Sequence, residues 1–180
     1  SDVCSSDLVT STIFNNSSLN GGGINATQDL NIQDSTISAN SAGNTGGAIF
    51  NNGGAVTLQS ATVVNNTASV SGGGILNVDV FGPINLKNTI VARNVAPTDT
   101  DISGTQFVAQ GVSNPGGVAL GFNLIGDRGS VTSVVNGIAG NLVGSIGNEV
   151  DPLLGVLQDN GGPSLTHSVL FGSPARDTGT

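Results

Sequence analysis

The sequence contains no tryptophan, tyrosine or methionine, only one histidine (His167) and only one cysteine (Cys4). These two side chains and the dispersed acidic residues are too few and too scattered for a zinc or calcium site of the usual kinds. No apolar run reaches the roughly 18–20 residues of a membrane-spanning helix. We therefore expect no metal, no cofactor and no transmembrane segment in this sequence.

Basic residues are also scarce, and the net charge is −8. The four basic residues are Lys87, Arg93, Arg128 and Arg176, and they do not cluster in the sequence. Nucleic acids and anionic membrane surfaces are bound by clustered lysine and arginine side chains. The charge therefore argues against both as partners.

In their place the sequence has 28 glycines, many Asn, Ser and Thr residues, and Val, Ile and Leu as nearly all of its large apolar side chains. Glutamate and lysine, which favour helices, occur once each. Small polar residues mixed with β-branched ones favour short strands joined by tight turns. At 180 residues the chain is long enough for one domain with a substantial core.

The first eight residues, SDVCSSDL, resemble nothing later in the chain. Their back-translation, TCA GAC GTG TGC TCT TCC GAT CT, resembles the end of a widely used short-read sequencing adapter. The alternative is a natural loop rich in Ser and Asp. On the adapter hypothesis, residues 1–8 are an artefact, natural sequence begins at Val9 within a longer protein, and Cys4 has no redox, metal or disulfide role. Residues 1–8 should then lie outside the first structural unit.

A repeat of about 25 residues begins at Ser11. Its four units contain STIFNNSS, STISANSA, ATVVNNTA and TIVARNVA, which start 24, 26 and 28 residues apart. A fixed pitch of this kind is typical of solenoid proteins. The aligned positions form an apolar column and an asparagine column: Ile13, Ile37, Val63 and Val91, and Asn16, Asn40, Asn66 and Asn94.

Two further signatures recur with the same pitch. A pair of glycines precedes an isoleucine in the first three units, and in the fourth TDTDI replaces the glycines while the isoleucine keeps its spacing. An alternating apolar pair precedes three of the units. These positions are Ile24, Ile49, Ile75 and Ile102, and the pairs Leu30 and Ile32, Val56 and Leu58, Ile84 and Leu86.

Each unit therefore offers three short strands with one side facing inward. We predict an all-β fold, a right-handed parallel β-helix with about 25 residues per coil, regular over residues 9–104 and less regular over residues 105–180. Apolar columns should stack inside, asparagine columns should hydrogen-bond at the turns, and the glycines should allow positive φ and close approach of coils. A disordered linker and a β-sandwich are the alternatives, and the fixed pitch argues against both.

The C-terminal third carries NTIVARN, DISG, GFNLIGD, DPLLGVLQDNGGPSLTH and GSPARDTG in that order. This order resembles the choice-of-anchor Q type of bacterial surface protein, and the GGAI and GGGI units are similar to repeats of chlamydial polymorphic outer-membrane proteins. The resemblance covers about Ser11 to Gly179, and Arg176 departs from it where an apolar residue is usual. It implies a right-handed, pectin-lyase-like parallel β-helix, exported and displayed on the cell surface, and it implies no known reaction.

Two acidic residues of the fourth unit, Asp99 and Asp101, are candidates for carbohydrate chemistry, because a glycosidase needs two placed carboxylates. A β-helix lyase would need several acids for Ca²⁺ and a basic residue to remove a proton, and only Arg93 lies near these acids in the sequence. We expect both aspartates to point outward in a solvated turn that replaces the glycine pair, and we assign them no catalytic role.

His167 has Ser164 and Asp159 nearby in the sequence, which suggests a Ser/His/Asp site. No GxSxG motif accompanies them. We interpret His167 as a packing or turn residue.

The sequence leads to the hypothesis of a fragment, from environmental sequence, of an exported bacterial cell-surface protein. Its expected role is structural and adhesive, with polysaccharides or neighbouring or host cells as partners. We expect no catalytic, cofactor-binding or metal-binding residues, and an anchor to the outer membrane or cell wall through a region beyond Thr180. The alternative is a polysaccharide lyase or glycosidase-like β-helix enzyme whose catalytic residues lie outside this fragment.

Overall fold

The structure, a computed structural model, describes residues 5–109, 111–112 and 119–176. It is built almost entirely of short strands, with one short 3₁₀ segment at Ile138–Gly140. The strands are β1 (Ser6–Val9), β2 (Thr12–Phe14), β3 (Ser17–Ser18), β4 (Ile24–Ala26), β5 (Leu30–Gln33), β6 (Thr36–Ser38), β7 (Ser41–Ala42), β8 (Ile49–Asn51), β9 (Val56–Gln59), β10 (Thr62–Val64), β11 (Thr67–Ala68), β12 (Ile75–Asn77), β13 (Ile84–Lys87), β14 (Ile90–Ala92), β15 (Ile102–Gly104), β16 (Phe107–Val108), β17 (Gly111–Val112), β18 (Ala119–Leu120), β19 (Leu124–Ile125), β20 (Leu142–Val143), β21 (Leu154–Gln158) and β22 (Thr166–Val169).

These strands wind into a parallel β-solenoid of about four turns, with about 26 residues per turn. Corresponding strands of successive coils pair in parallel and form four sheets along the axis. Sheet A contains β1, β5, β9, β13 and β16, and sheet B contains β2, β6, β10, β14, β19 and β20. Sheet C contains β3, β7 and β11, and sheet D contains β4, β8, β12 and β15. The predicted all-β, parallel β-helical fold is therefore confirmed.

The predicted apolar columns are present in register. Ile13, Ile37, Val63 and Val91 are consecutive partners in sheet B. Ile24, Ile49, Ile75 and Ile102 are consecutive partners in sheet D. The alternating pairs form two further columns in sheet A. Together these side chains form one continuous core along the axis.

The paired glycines serve the two purposes expected from the sequence. In the second coil Gly46 has a φ of 66°, which glycine adopts without strain. Its neighbour Gly47 packs so close to the next coil that an added Cβ would overlap the carbonyl oxygen of Gly73. A larger residue at Gly47 would force the coils apart, and one at Gly46 would strain the backbone and overlap the Ile49 carbonyl of its own coil.

The solenoid becomes less regular after β16. Residues Gly111–Val112 and Ala119–Leu120 form a short antiparallel pair, and sheet B alone continues through β19 and β20. These strands lie within residues 105–180, for which the sequence predicts a less regular repeat, and residues 110, 113–118 and 177–180 of that range lie outside the described part.

An antiparallel hairpin of β21 and β22, here called the strap, lies across the outer face of sheet B. The Thr12 hydroxyl donates to the Leu165 carbonyl at 2.9 Å, in the first coil. Arg93, in the fourth coil, donates through Nη1 to the Leu154 carbonyl at 3.0 Å. Outward residues of sheet B such as Val64 are consequently buried.

The predicted exclusion of residues 1–8 from the first coil is wrong for Ser6, Asp7 and Leu8. These residues belong to β1, which pairs in parallel with β5, and Leu8 packs against the core. Strands pair through their backbones, so a short segment can join the sheet whatever its origin. In an alternating polar–apolar segment, one apolar side chain then faces the core. Val3 and Cys4, on which the other expectations rested, lie outside the described residues.

Candidate functional site

The asparagine column predicted from the sequence forms a hydrogen-bonded ladder along the axis. The Nδ2 of Asn16 donates to the Oδ1 of Asn40 at 3.0 Å, and each later member donates to the next at 2.9 Å. Each accepting Oδ1 also receives the backbone N–H of the preceding ladder residue. The members after Asn16 are buried, so these bonds satisfy polar groups that water does not reach.

Asp101 ends this ladder. Its Oδ1 accepts the backbone N–H of Asn94 at 2.9 Å and the Nδ2 of Asn94 at 2.8 Å. Its Oδ2 accepts the backbone N–H of Asp127 at 2.7 Å. The side chain is only 2% exposed. The expectation that Asp101 points outward in a solvated turn is therefore wrong, because a ladder of amides needs an acceptor where the asparagines stop.

Burial raises the pKa of Asp101 to about 6. The hydrogen bonds from Asn94 and Asp127 stabilise the ionised form and act against this rise, but desolvation outweighs them. A carboxyl group with a raised pKa is a common feature of catalytic sites, and it also occurs in structural networks.

Asp99 occupies the position of the first glycine of the pair and adopts its left-handed conformation, with a φ of 48°. Its Oδ1 accepts the backbone N–H of Ser130 at 2.7 Å, and its Oδ2 accepts the Ser103 hydroxyl at 2.9 Å. Asp99 thus replaces a glycine as predicted, but it is half-buried and joins two segments rather than standing free in solvent.

A cleft of about 460 Å³ lies beside Asp101 and brings together Arg93, Glu149 and Asp151. The Nε of Arg93 donates to an oxygen of Asp151 at 2.8 Å, and this bond lowers the pKa of the Asp151 carboxyl. The pKa of Glu149 is also lowered, chiefly because its carboxylate accepts the backbone N–H of Gly147. The structure thus connects Arg93 to an acid 58 residues away, which sequence proximity alone did not indicate.

His167 pairs with Ser38 rather than with Ser164. Its Nδ1 lies 2.7 Å from the Gly155 carbonyl, which only accepts, so Nδ1 carries the proton. Its Nε2 then accepts the Ser38 hydroxyl at 3.0 Å. Ser38 is buried beneath the strap, and Asp159 instead accepts the N–H of Gly161 in the strap's turn. The three residues of the Ser/His/Asp site that the sequence suggested do not contact one another in this way. His167 instead joins the strap to sheet B.

The outward face of sheet A, here called the polar face, carries two columns of polar side chains. They alternate with the core positions of β5, β9 and β13, and their members are partners in register. Most are half-buried, and the Nδ2 of Asn85 donates to the Thr57 hydroxyl at 3.3 Å. The columns are Asn31, Thr57 and Asn85, and Gln33, Gln59 and Lys87. The sequence predicted a ladder surface but did not show which residues form it. These residues could have been identified, because they alternate with the apolar pairs in the sequence.

A second asparagine ladder was missed. Asn51 and Asn77 lie inside sheet D, and the Nδ2 of Asn51 donates to the Oδ1 of Asn77 at 3.0 Å. Each follows its column isoleucine by two residues, a spacing that could have revealed the pair.

The described residues bring together no group of three or more His, Cys, Asp or Glu side chains that could hold a metal ion. Within the same part of the chain, no helix is long and apolar enough to cross a membrane. No family model, curated protein or solved structure matches the sequence. The family resemblance drawn from the motifs therefore stays a prediction.

Proposed function

We propose that this chain is part of an exported bacterial cell-surface protein, related to the choice-of-anchor Q type, whose β-solenoid is structural and adhesive. The polar face is the observation that carries the proposal. It presents amide and hydroxyl groups at the repeat of neighbouring strands, roughly 4.7–4.9 Å along the axis. A surface of this kind makes many shallow contacts of the same type.

Glycans suit this surface because their hydroxyl groups both donate and accept hydrogen bonds, as Asn, Gln and Thr side chains do. The net charge of −8 disfavours polyanions, so we propose neutral polysaccharide on a neighbouring or host cell surface as the ligand. Single contacts would be weak, and affinity would come from many contacts along one chain.

The proposal is tested by binding to an array of neutral polysaccharides. The double variant Gln33→Ala and Gln59→Ala should weaken binding by about tenfold or more, the effect of losing about 1.4 kcal/mol. Asn25→Ala, an exposed outward position of sheet D, is the matched control and should leave binding unchanged. Equal binding by all three proteins would contradict the proposal.

The chain should have no polysaccharide-cleaving activity of its own. In support, the oxygens of Asp101 are occupied by three N–H donors and those of Asp99 by serine groups. Incubation with pectin, alginate and neutral glycans, with and without Ca²⁺, should release no product. Turnover that Asp101→Asn abolishes would contradict this expectation and would place a catalytic site within the chain, at the Arg93 cleft.

A further inference from the structure

The turn of the strap contains an asparagine followed by a glycine, Asn160 and Gly161. In such a pair the glycine nitrogen can attack the side-chain carbon Cγ of the asparagine, because glycine has no side chain to hinder the approach. A succinimide ring forms, ammonia leaves, and water opens the ring to aspartate or isoaspartate. The surroundings of each pair decide whether it reacts. The sequence has four such pairs, which begin at Asn20, Asn52, Asn136 and Asn160.

At Asn160 the reacting groups already contact side chains that favour each step. The Gly161 N–H donates to Oδ1 of Asp159 at 2.8 Å, so a carboxylate is in place to take this proton as the nitrogen attacks. The Nε2 of Gln158 donates to Oδ1 of Asn160 at 2.9 Å, which stabilises the negative charge that this oxygen gains. The Thr166 hydroxyl lies 3.0 Å from Nδ2 of Asn160, the nitrogen that leaves.

The turn also has room for the ring and access to water. Asp159, Asn160 and Gly161 are all exposed. An added Cβ at Gly161 would contact nothing within 4 Å among the described residues beyond its chain neighbours. An added Cβ at Gly21 or Gly53 would instead overlap a backbone carbonyl oxygen, so these two pairs are packed within the coils.

The pair Asn136 and Gly137 resembles the strap's pair but lacks the carboxylate. Both residues are exposed, and Oδ1 of Asn136 accepts the Val143 N–H at 2.9 Å. The Gly137 N–H, however, donates to the Asn141 carbonyl at 2.8 Å. A neutral carbonyl is a far weaker base than a carboxylate. The two pairs therefore differ mainly in the group that can take the glycine proton.

We propose that Asn160 is a site of autocatalytic deamidation, with Asp159 as the general base. The Gly161 nitrogen bonds to Cγ of Asn160 while its proton passes to Asp159, which releases it to solvent. The Cγ–Nδ2 bond then breaks. The Thr166 hydroxyl gives the nitrogen the proton with which it leaves as ammonia, and solvent reprotonates the hydroxyl. Water adds across one C–N bond of the succinimide, which yields aspartate or isoaspartate without any oxidant or reductant.

The product changes the turn of the strap. The Nδ2 of Asn160 donates to the carbonyl and the hydroxyl of Thr166, each at 3.0 Å, and a carboxylate has no N–H to replace it. The new negative charge also lies beside that of Asp159. Leu165, which contacts Thr12 in the first coil, directly precedes Thr166. Deamidation should therefore loosen the end of the strap that contacts the first coil.

Peptide mass spectrometry of the full chain tests the site. The protein is purified in the cold at mildly acidic pH and incubated at neutral pH in heavy-oxygen water, which labels each newly formed acid. Asn160 should convert at least about tenfold faster than Asn136, since general acid–base catalysis typically contributes roughly 10²–10⁴-fold. Asn160 already converted at purification, with Asn136 intact, would meet the same expectation. Equal rates, or cleavage of the chain after Asn160, would overturn the proposal.

Asp159→Asn tests the base, because its side chain keeps an oxygen that accepts the Gly161 N–H but is not basic. Conversion at Asn160 should slow by about tenfold or more, while conversion at Asn136 should not change. Asp34→Asn, at an exposed turn of the second coil, is the matched control and should leave both rates unchanged. Circular dichroism should show the same fold in all three proteins. An unchanged rate at Asn160 in Asp159→Asn would refute the role of Asp159.

Discussion

Asp101 stands at a position where the other coils have glycine or alanine. Gly23, Ala48 and Gly74 precede the column isoleucines of their coils, and Asp101 precedes Ile102. The larger side chain fits because it extends to Asn94, where the asparagine ladder has no further amide. Replacing the small residue thus supplies an acceptor in the core at the cost of burying a charge.

Asp101 should make stability fall as pH rises. Its folded pKa, about 6, exceeds the ordinary value of 3.8, so the folded state holds the proton more tightly than the unfolded chain. The resulting stabilisation is complete below about pH 3.8 and is lost as pH rises through about 6. The total loss is on the order of 3 kcal/mol, at about 1.4 kcal/mol per pKa unit. Urea unfolding at intervals between pH 4 and 7 measures it.

Asp101→Asn removes this titrating group. The free energy of unfolding should therefore depend less on pH in this variant than in the unsubstituted chain. Asp159→Asn, in the exposed turn of the strap, removes one charge without touching the ladder and should leave the slope unchanged. A slope that persists in Asp101→Asn would show that another group causes it.

At the scale of elements, the strap connects coils that are distant in sequence. It contacts the first coil through Thr12, the second through Ser38 and the fourth through Arg93. A sheet face that would otherwise meet water is thereby buried, and opening between these coils requires the strap to detach.

A double-mutant cycle on Ser38→Ala and His167→Ala should give a coupling of about 0.5–1.5 kcal/mol in the free energy of unfolding, the range of one hydrogen bond. The reason is that the buried Ser38 hydroxyl donates to the half-buried His167 ring. Chemical denaturation of the four proteins measures this coupling. A second cycle, which pairs Ser38→Ala with Asn160→Ala in the strap's turn, should give a coupling close to zero. Equal coupling in the two cycles would contradict a direct contact.

The contacts of the strap could not be predicted from the sequence. Columns such as Ile13, Ile37 and Val63 are visible because stacking repeats one environment at a fixed pitch. The bond between Thr12 and Leu165 spans 153 residues and occurs once, so no periodicity reports it. The prediction that Asp101 points outward was wrong for the same reason. A residue that departs from the repeat only once gives no pattern from which the direction of its side chain can be inferred.

At the scale of the molecule, coils depend on neighbours on both sides. Ile49 lies between β4 and β12 and is 0% exposed, whereas Ile24 in the first coil is half-buried. Stability therefore belongs to the stack, as expected for a solenoid in which each unit contacts only adjacent units.

Truncation of core isoleucines should cost more inside the stack than at its first coil. Ile49→Ala should lower the free energy of unfolding by about 2–5 kcal/mol, the range for a buried isoleucine. Ile24→Ala should lower it by roughly half as much or less, because less of its surface is removed from water. Both are measured by denaturant unfolding, with the unsubstituted chain as the reference. Equal losses would contradict the dependence on neighbouring coils.

The asparagine ladder also gives the solenoid an electrical direction. Every amide from Asn16 to Asn94 points its oxygen toward the first coil and its Nδ2 toward the fourth, so their dipoles are parallel. Turning one amide over would set oxygen against oxygen on one side and N–H against N–H on the other, so each orientation fixes the next. The positive end of this row of dipoles lies against Asp101, as the amino end of a helix lies against a bound anion. The fold therefore has a polar axis made of side chains, and a buried carboxylate stands at its positive pole.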